Sequence, residues 1–147
     1  MQKTLEQILN TILHSSELME EDLRQETELK QLTSRQLTCI ECINELKNPS
    51  LSELAEKMKI AKPSISVMID RLEKNEFIYK VVSDSDRRSA HIHLTDKGQK
   101  AAKLHNEIHA KIAELLTIEM TDSEKQILIV LLNKSILSLS KKSFNLN

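Results

Sequence analysis

Two pairs of side chains in this sequence have the types and the spacing that metal or redox chemistry requires. Cys39 and Cys42 are three residues apart and His105 and His109 are four apart, so each pair shares one face if its segment is helical. A regulatory zinc site needs about four ligands, and no further ligand is evident for the histidines. A structural role for His105 and His109 is therefore favoured over metal binding. For the cysteines, redox or metal chemistry is open, but two reduced thiols in a core are favoured.

A third group of residues has the chemistry to bind nucleic acid. Lysine and arginine neutralise phosphates, hydroxyl side chains hydrogen-bond to bases or phosphates, and an apolar side chain can contact a thymine methyl group. Side chains of these types occur at Lys62, Ser64, Ser66, Val67, Arg71, Arg87 and Arg88. The arginine pair could also be a solvated turn. Residues 35–100 as a whole carry only a small excess of positive charge, so the case for nucleic acid depends on the elements that present these residues.

The composition excludes several classes of protein. Gly98 is the single glycine in 147 residues, and the loops that cradle nucleotide phosphates need several. A nucleotide-dependent enzyme is therefore not expected, and no nucleophile, base and orienting group suggest another enzyme. No apolar run approaches a membrane span, and the N-terminus opens on a polar, periodic segment rather than a signal core. We expect a cytoplasmic protein with no membrane partner and no bound cofactor.

Hydrophobic periodicity predicts a mainly α-helical chain with one β-hairpin. Apolar residues recur at helical spacing in residues 3–24, 34–46, 51–58, 63–75, 96–118 and 122–140. Residues 77–82 and 90–94 alternate instead with a period of two, and a charged loop separates them. Ser50 and Glu53, like Thr121 and Glu124, have the spacing of a capping box at a helix start. The predicted core of the two central helices includes Leu51, Met58 and Met68 among other apolar residues.

This order of elements predicts a winged helix-turn-helix fold over residues 33–95. A short helix, a tight turn and a second helix with a polar front would enter the major groove, and the hairpin would form the wing. Residues 1–32 and 96–140 would then be dimerisation helices, because residues 127–132 are apolar without a break and a chain of this size cannot cover such a helix alone. Residues 141–147 read as a flexible tail. The whole chain would form one domain.

The motifs that carry this pattern resemble the MarR family of bacterial transcription regulators. The resemblance lies in residues 51–55, 63–66 and 69–74, and above all in residues 84–98, and it extends over nearly the whole chain. It implies a homodimer that binds a pseudo-palindromic operator on double-stranded DNA, in many cases as a repressor released by a small ligand. It also implies that Arg88 enters the minor groove while Asp86 braces the wing.

Two positions depart from the family pattern. Val67 stands where a basic residue is common in the recognition helix, so base contacts there would be apolar. Glu76 replaces the usual glycine after that helix. If the backbone needs a positive φ angle at this point, we expect Asn75 to supply it more cheaply than Glu76.

Two classes of effector and one rival function are compatible with the sequence. Only three residues are aromatic, so a pocket between the long helices should be lined by Leu, Ile and Met and should suit an acyl chain. Residues 104–109 are similar to two branches of the family, a zinc-sensing branch and the FabT branch, which regulates fatty-acid synthesis. Thr38 stands where the zinc branch has a histidine, so an acyl ligand is favoured over zinc as the effector. A different zinc site could still be completed by His14, Glu17, Glu21 or Glu107. The rival to operator binding is a winged-helix module that binds proteins.

Overall fold

Six helices and one antiparallel hairpin make up the described part of the chain, residues 3–82 and 90–140 of a computed structural model. The elements in chain order are α1 (Leu5–Gln25), α2 (Ser34–Leu46), α3 (Leu51–Met58), α4 (Lys62–Lys74), β1 (Ile78–Val82), β2 (Ala90–Leu94), α5 (Asp96–Leu116) and α6 (Asp122–Ser140). A short 3₁₀ turn, Glu28–Gln31, precedes α2. The predicted elements and their order are confirmed. No helix in the described ranges is long and apolar enough to cross a bilayer.

Polar residues at the helix starts fix where the central helices begin. The Thr33 and Ser50 side chains accept hydrogen bonds from the third residue of α2 and α3, and each receives a reciprocal bond in a capping box. Thr121 and Glu124 form the same pair before α6. At α4 the prediction is one residue late, because the Ala61 carbonyl already accepts the first helical hydrogen bonds and the helix begins at Lys62 rather than Pro63.

The core of the first 110 residues lies among α2, α3, α4 and the hairpin. Its fully buried side chains include Leu37, Ile40, Ile43, Leu54, Ile65, Ile69, Leu72, Ile78 and Ile92. Three residues predicted to be buried, Leu51, Met58 and Met68, are only partly so. The hairpin pairs Ile78 with Leu94 and Val82 with Ala90.

Two compact units divide the chain at residues 110 and 111, which lie within α5. The first half of α5 belongs to the first unit, and His105 Nε2 lies 3.3 Å from Glu20 Oε1 of α1. The predicted division into a winged module and dimerisation helices at residues 95 and 96 stays a prediction. In the second unit, no described residue of α6 is buried within the single chain. Six apolar residues of α1 are also exposed: Leu5, Ile8, Leu9, Ile12, Leu13 and Leu18. Residues 141–147, predicted as a tail, lie outside the described ranges.

The end of α4 corrects one expectation. Glu76, not Asn75, has the positive φ angle, at 62°, while Asn75 is at −92°. The Glu76 amide donates to Glu73 and the Phe77 amide donates to Leu72, which is the hydrogen-bond pattern of a helix end that needs a left-handed residue at this position. The hydrogen bonds of the helix end decide which residue has the positive φ angle. Asparagine adopts such an angle more readily than glutamate, but Asn75 is one residue too early to have it.

The variant Glu76→Gly should therefore raise the free energy of unfolding. Relief of left-handed strain outweighs the extra freedom of glycine in the unfolded chain, for a net gain of about 1 kcal/mol. Urea denaturation followed by circular dichroism measures it. Asn75→Gly is the matched control and should bring no gain, since its φ angle is negative. Equal or lower stability of Glu76→Gly would contradict the assigned backbone.

Candidate nucleic-acid interface

The turn between α3 and α4 fixes how the two helices are joined. Lys59 adopts a left-handed conformation with φ at 52°, and the Ile60 amide donates to the Ala55 carbonyl at 3.1 Å. The chain then turns directly into α4, whose inner face buries Ile65, Ile69 and Leu72. Because these three residues fix one side of α4 in the core, the opposite side faces outward. This arrangement is a helix-turn-helix with α4 as its second helix.

The outward side of α4 carries the residues predicted to bind DNA. Lys62, Ser64, Val67 and Arg71 are exposed and Ser66 is partly exposed. Ser64, Val67 and Arg71 follow one stripe of the helix at spacings of three and four residues. Val67 is 53% exposed, so an apolar side chain stands on an otherwise polar surface. The structure thus places these five predicted residues on two neighbouring stripes of α4, with Lys62 and Ser66 on the stripe nearer the hairpin.

The hairpin is fastened to the start of α3. The Ile92 amide of β2 donates to the Pro49 carbonyl at 2.8 Å, and His91 Nδ1 lies 3.1 Å from the Asn48 carbonyl oxygen. These contacts place the base of the hairpin beside the helix-turn-helix. The loop that joins the strands contains Asp86, Arg87 and Arg88, which lie outside the described residues, so their predicted roles stay predictions.

Lys80 is a residue that the sequence analysis missed. Its Nζ atom on β1 lies 2.7 Å from Asp70 Oδ1 and 2.9 Å from Glu73 Oε2, both on α4. The hydrogen bonds to Asp70 and Glu73 raise the pKa of Lys80, so its positive charge is retained. A lone lysine in an alternating strand gives no sequence signal for this contact, because it depends on how α4 and the hairpin pack.

The two histidines of α5 lie between two carboxylates from other helices. Glu20 of α1 faces their Nε2 atoms, at 3.3 Å from His105 and 3.8 Å from His109. Glu41 of α2 faces their Nδ1 atoms, at 2.9 Å from His105 and 4.0 Å from His109. His105 is buried, and its Nδ1 has no hydrogen-bond partner despite the short distance, so the Glu41 oxygen is poorly aligned with the ring nitrogen.

Ligand atoms of Glu20, His105 and His109 lie within 4.8 Å of one another. The expectation that further ligands are lacking is therefore wrong for Glu20, which the sequence analysis did not consider. Thr38, whose hydroxyl donates to the Ser34 carbonyl, is exposed and is not among the residues of this cluster. The proximity of Glu20 could not be derived from the sequence, since 85 residues separate it from His105.

The two cysteines are buried on α2. Burial raises the pKa of the Cys39 thiol to about 12 and also raises that of Cys42. Both thiols are therefore protonated near neutral pH and are poor nucleophiles. Their surroundings fit the favoured structural role.

Two cavities in the first unit are lined mainly by polar residues. One, of about 490 Å³, is bordered by Asn44, Gln99, Ala102, Lys103, Asn106, Glu107 and Ala110. The other, of about 310 Å³, is bordered by His14, Glu17, Leu18, Glu20, Glu21 and Ser34. Neither has the lining of Leu, Ile and Met that was expected for an acyl ligand. An acyl effector stays a prediction.

Comparisons with known proteins agree with this geometry. Residues 32–90 match the MarR family. The HTH-type transcriptional regulator YsmB of Bacillus subtilis (strain 168) is 31% identical over 108 residues, which cover 74% of this chain and 71% of YsmB. The regulator YkoM of the same organism is 34% identical over 86 residues, 58% of this chain and 55% of YkoM, so the match spans about half the length of that relative.

A solved structure with the same fold is that of Streptococcus pneumoniae FabT in complex with DNA. It superposes with a TM-score of 0.84 at 22% identity, over 93% of this chain and 96% of FabT. The fold is therefore that of a winged helix-turn-helix protein. This chain belongs to the MarR family of helix-turn-helix transcription regulators.

Proposed function

We propose that this protein is a sequence-specific DNA-binding regulator that acts as a homodimer on a pseudo-palindromic operator. The observation that carries the proposal is the outward face of α4, where Lys62, Ser64 and Val67 project from a helix whose other side is fixed in the core. A helix of this kind fits the major groove, and its first residues are the ones that reach base edges. The protein acts on DNA in the bacterial cytoplasm and has no catalytic role.

A second copy of the chain explains the exposed apolar helices. In α6 the exposed apolar side chains are Ile127, Ile129, Val130, Leu131, Leu132, Ile136, Leu137 and Leu139, each at least 50% exposed in the single chain. An apolar surface of this extent is characteristic of an interface rather than of a solvated monomer. We infer that α1 and α6 pair with the same helices of a partner chain, as the predicted assignment of dimerisation helices requires.

Selection of bound sequences from fragmented genomic DNA tests the proposal. The selected site should bind about 10³-fold or more tightly than a scrambled duplex, and its affinity should fall steeply with salt as counterions are released. A protein-binding module would select no sequence and would bind any duplex weakly. That result would overturn operator binding while leaving the fold assignment intact.

The wing prediction concerns Arg88, in the loop outside the described residues. Arg88→Ala should weaken binding to the selected site by about 1–3 kcal/mol, as expected for loss of one groove or phosphate contact, with the dimer intact. Fluorescence anisotropy at moderate salt measures the affinity, and sedimentation checks the dimer. Lys103→Ala, an exposed change on α5, is the control. Unchanged affinity of Arg88→Ala would remove the wing arginine from the interface.

We propose that the unliganded protein represses transcription and that a ligand relieves the repression. Two classes of effector are supported by different observations. The resemblance to the FabT branch supports an acyl ligand. The cluster of Glu20, His105 and His109 supports a divalent metal ion such as zinc. Ligand atoms of a tetrahedral zinc ion are about 3.4 Å apart. The Glu20 oxygens lie close to that spacing from the two Nε2 atoms, at 3.3 and 3.8 Å.

Glu41 and a polar cavity add to the case for a metal. Histidine ligands commonly direct their second ring nitrogen at a carboxylate, and Glu41 occupies this side of His105. The cavity beside Glu20 is bordered by His14 and Glu17, either of which offers a fourth ligand of suitable type. Zinc therefore stands as a second candidate for the effector, alongside the acyl ligand.

Calorimetric titration of the purified, chelator-treated protein separates these candidates. A metal site predicts submicromolar zinc binding that is lost in the His105→Ala, His109→Ala double variant and retained in His93→Ala, a control on β2. The long-chain acyl thioester is titrated separately, with operator affinity as the readout. Zinc binding that is weak, or unchanged in the double variant, would exclude the cluster as a metal site.

A further inference from the structure

Two carboxylates lie on the helix that the proposed function places against DNA. Asp70 follows Ser66 by one helical turn, Ser66 follows Lys62 by one turn, and Glu73 extends the same side of α4. This stripe is next to the one formed by Ser64, Val67 and Arg71. Duplex DNA carries one negative charge per about 1.7 Å of its length, so free carboxylates at this place would oppose binding.

Lys80 reaches both carboxylates from the hairpin. The two contacts, 2.7 Å to Asp70 and 2.9 Å to Glu73, connect β1 to the second half of α4. The Lys80 side chain is 32% exposed, against 63% for Asp70, so the ammonium group lies closer to the protein surface than an outward-pointing lysine does. One lysine thus serves two acidic side chains, which engage two of its three N–H donors.

A cavity of about 340 Å³ marks the junction that Lys80 spans. Its lining joins the start of α3, the flank of α4 nearest the hairpin and both strands, with Ser50, Ser52, Lys62, Ser66 and Lys80 as its polar residues. Ile69 of α4 and Ile92 of β2 are buried beneath this groove, so the two elements pack together there, and the Lys80 ion pairs add a polar connection between the hairpin and α4. Removal of Lys80 would both expose two negative charges and release this connection.

We propose that Lys80 is a positioning residue for DNA binding, which neutralises Asp70 and Glu73 and holds the hairpin against α4 without contacting DNA itself. The inference rests on the proposed function, since it assigns a role within the same interface. It differs from the role proposed for Lys62 and Arg71, whose exposed side chains would contact DNA themselves. It also explains how a recognition helix with two carboxylates remains compatible with DNA.

Four variants test the role of Lys80 on the DNA sequence that the wild type selects. Lys80→Met should lower affinity about tenfold, and Lys80→Arg should keep affinity within about threefold of the wild type because it retains the charge. The pair Asp70→Asn, Glu73→Gln should bind at least as tightly as the wild type. The decisive variant joins this pair with Lys80→Met, and it should recover affinity to within about threefold of the wild type.

Each outcome bears on the proposal. If the triple variant stays as weak as Lys80→Met, Lys80 contacts DNA directly and the positioning role is wrong. If Lys80→Met binds like the wild type, Lys80 has no role in binding. Either result leaves operator binding itself intact, whereas a wild type that selects no sequence refutes the proposed function instead. Circular dichroism checks that each variant is folded. If Lys80→Met does not fold, the double variant Asp70→Asn, Glu73→Gln still tests the proposal, because it should bind DNA at least as tightly as the wild type.

Discussion

Leu131→Asp is expected to convert the dimer to monomer and to abolish operator binding. Leu131 lies at the middle of α6, within its apolar run, and is 53% exposed in the single chain. In a dimer that covers α6, the aspartate would be an unpaired charge against apolar neighbours. This would make the free energy of dimerisation less favourable by about 3–5 kcal/mol. Since each chain contributes this residue, a symmetric dimer would incur the cost twice.

Sedimentation velocity over a range of protein concentrations measures the effect. The wild type should sediment as a dimer and Leu131→Asp as a monomer. The variant should also have a lower thermal stability, because the apolar side chains of α6 lose their contacts with the partner chain. Gln126→Glu is the control: it adds the same negative charge to a polar, exposed position near the start of α6 and should leave the dimer unchanged. A folded Leu131→Asp protein that remains fully dimeric would show that the interface lies elsewhere.

Gly98→Ala is expected to be strongly destabilising, although it adds a single methyl group at the start of α5. Gly98 is buried in the first turn of α5, where a Cβ atom would lie 2.1 Å from the Phe77 carbonyl oxygen. That oxygen is held in place, because it accepts a hydrogen bond from the Thr95 amide at 3.1 Å. The added methyl group therefore meets backbone that cannot move without breaking this hydrogen bond, which joins the residue after β2 to the residue before β1. We expect a loss of about 3 kcal/mol.

Denaturant unfolding of Gly98→Ala gives the value directly. Lys100→Ala, an exposed change one half-turn further along α5, should alter stability by less than about 0.5 kcal/mol. A Gly98→Ala variant within about 1 kcal/mol of the wild type would mean that α5 sits farther from Phe77 than the structure places it. The clash gives a packing reason for the single glycine of the chain.

Local signals in the sequence account for most of the fold. The capping boxes at Thr33, Ser50 and Thr121 depend on residues three apart, so their hydrogen bonds could be predicted without knowledge of the tertiary structure. The change from helical to alternating periodicity located the hairpin to within a residue. The outward face of α4 followed from the same logic, since Ile65 and Ile69 had to face the core.

Features that depend on packing between distant segments could not be predicted. Lys80 meets Asp70 only because the hairpin folds against α4, and Glu20 meets His105 only because α1 crosses α5. The positive φ angle at Glu76 was assigned to its neighbour, because the sequence shows which residues tolerate this conformation but not which position the helix end requires. Partial exposure of Leu51 and Met58 likewise depends on neighbours that periodicity does not identify.

A footprint on the selected DNA, combined with the mass of the complex, tests most directly whether this protein is a dimeric operator-binding regulator. We expect two chains per site and two symmetric half-sites about one helical turn apart, near 10 base pairs from centre to centre, because each chain presents one α4 helix to the major groove. Protection of a single asymmetric half-site by one chain, or no protection of any selected sequence, would contradict this expectation.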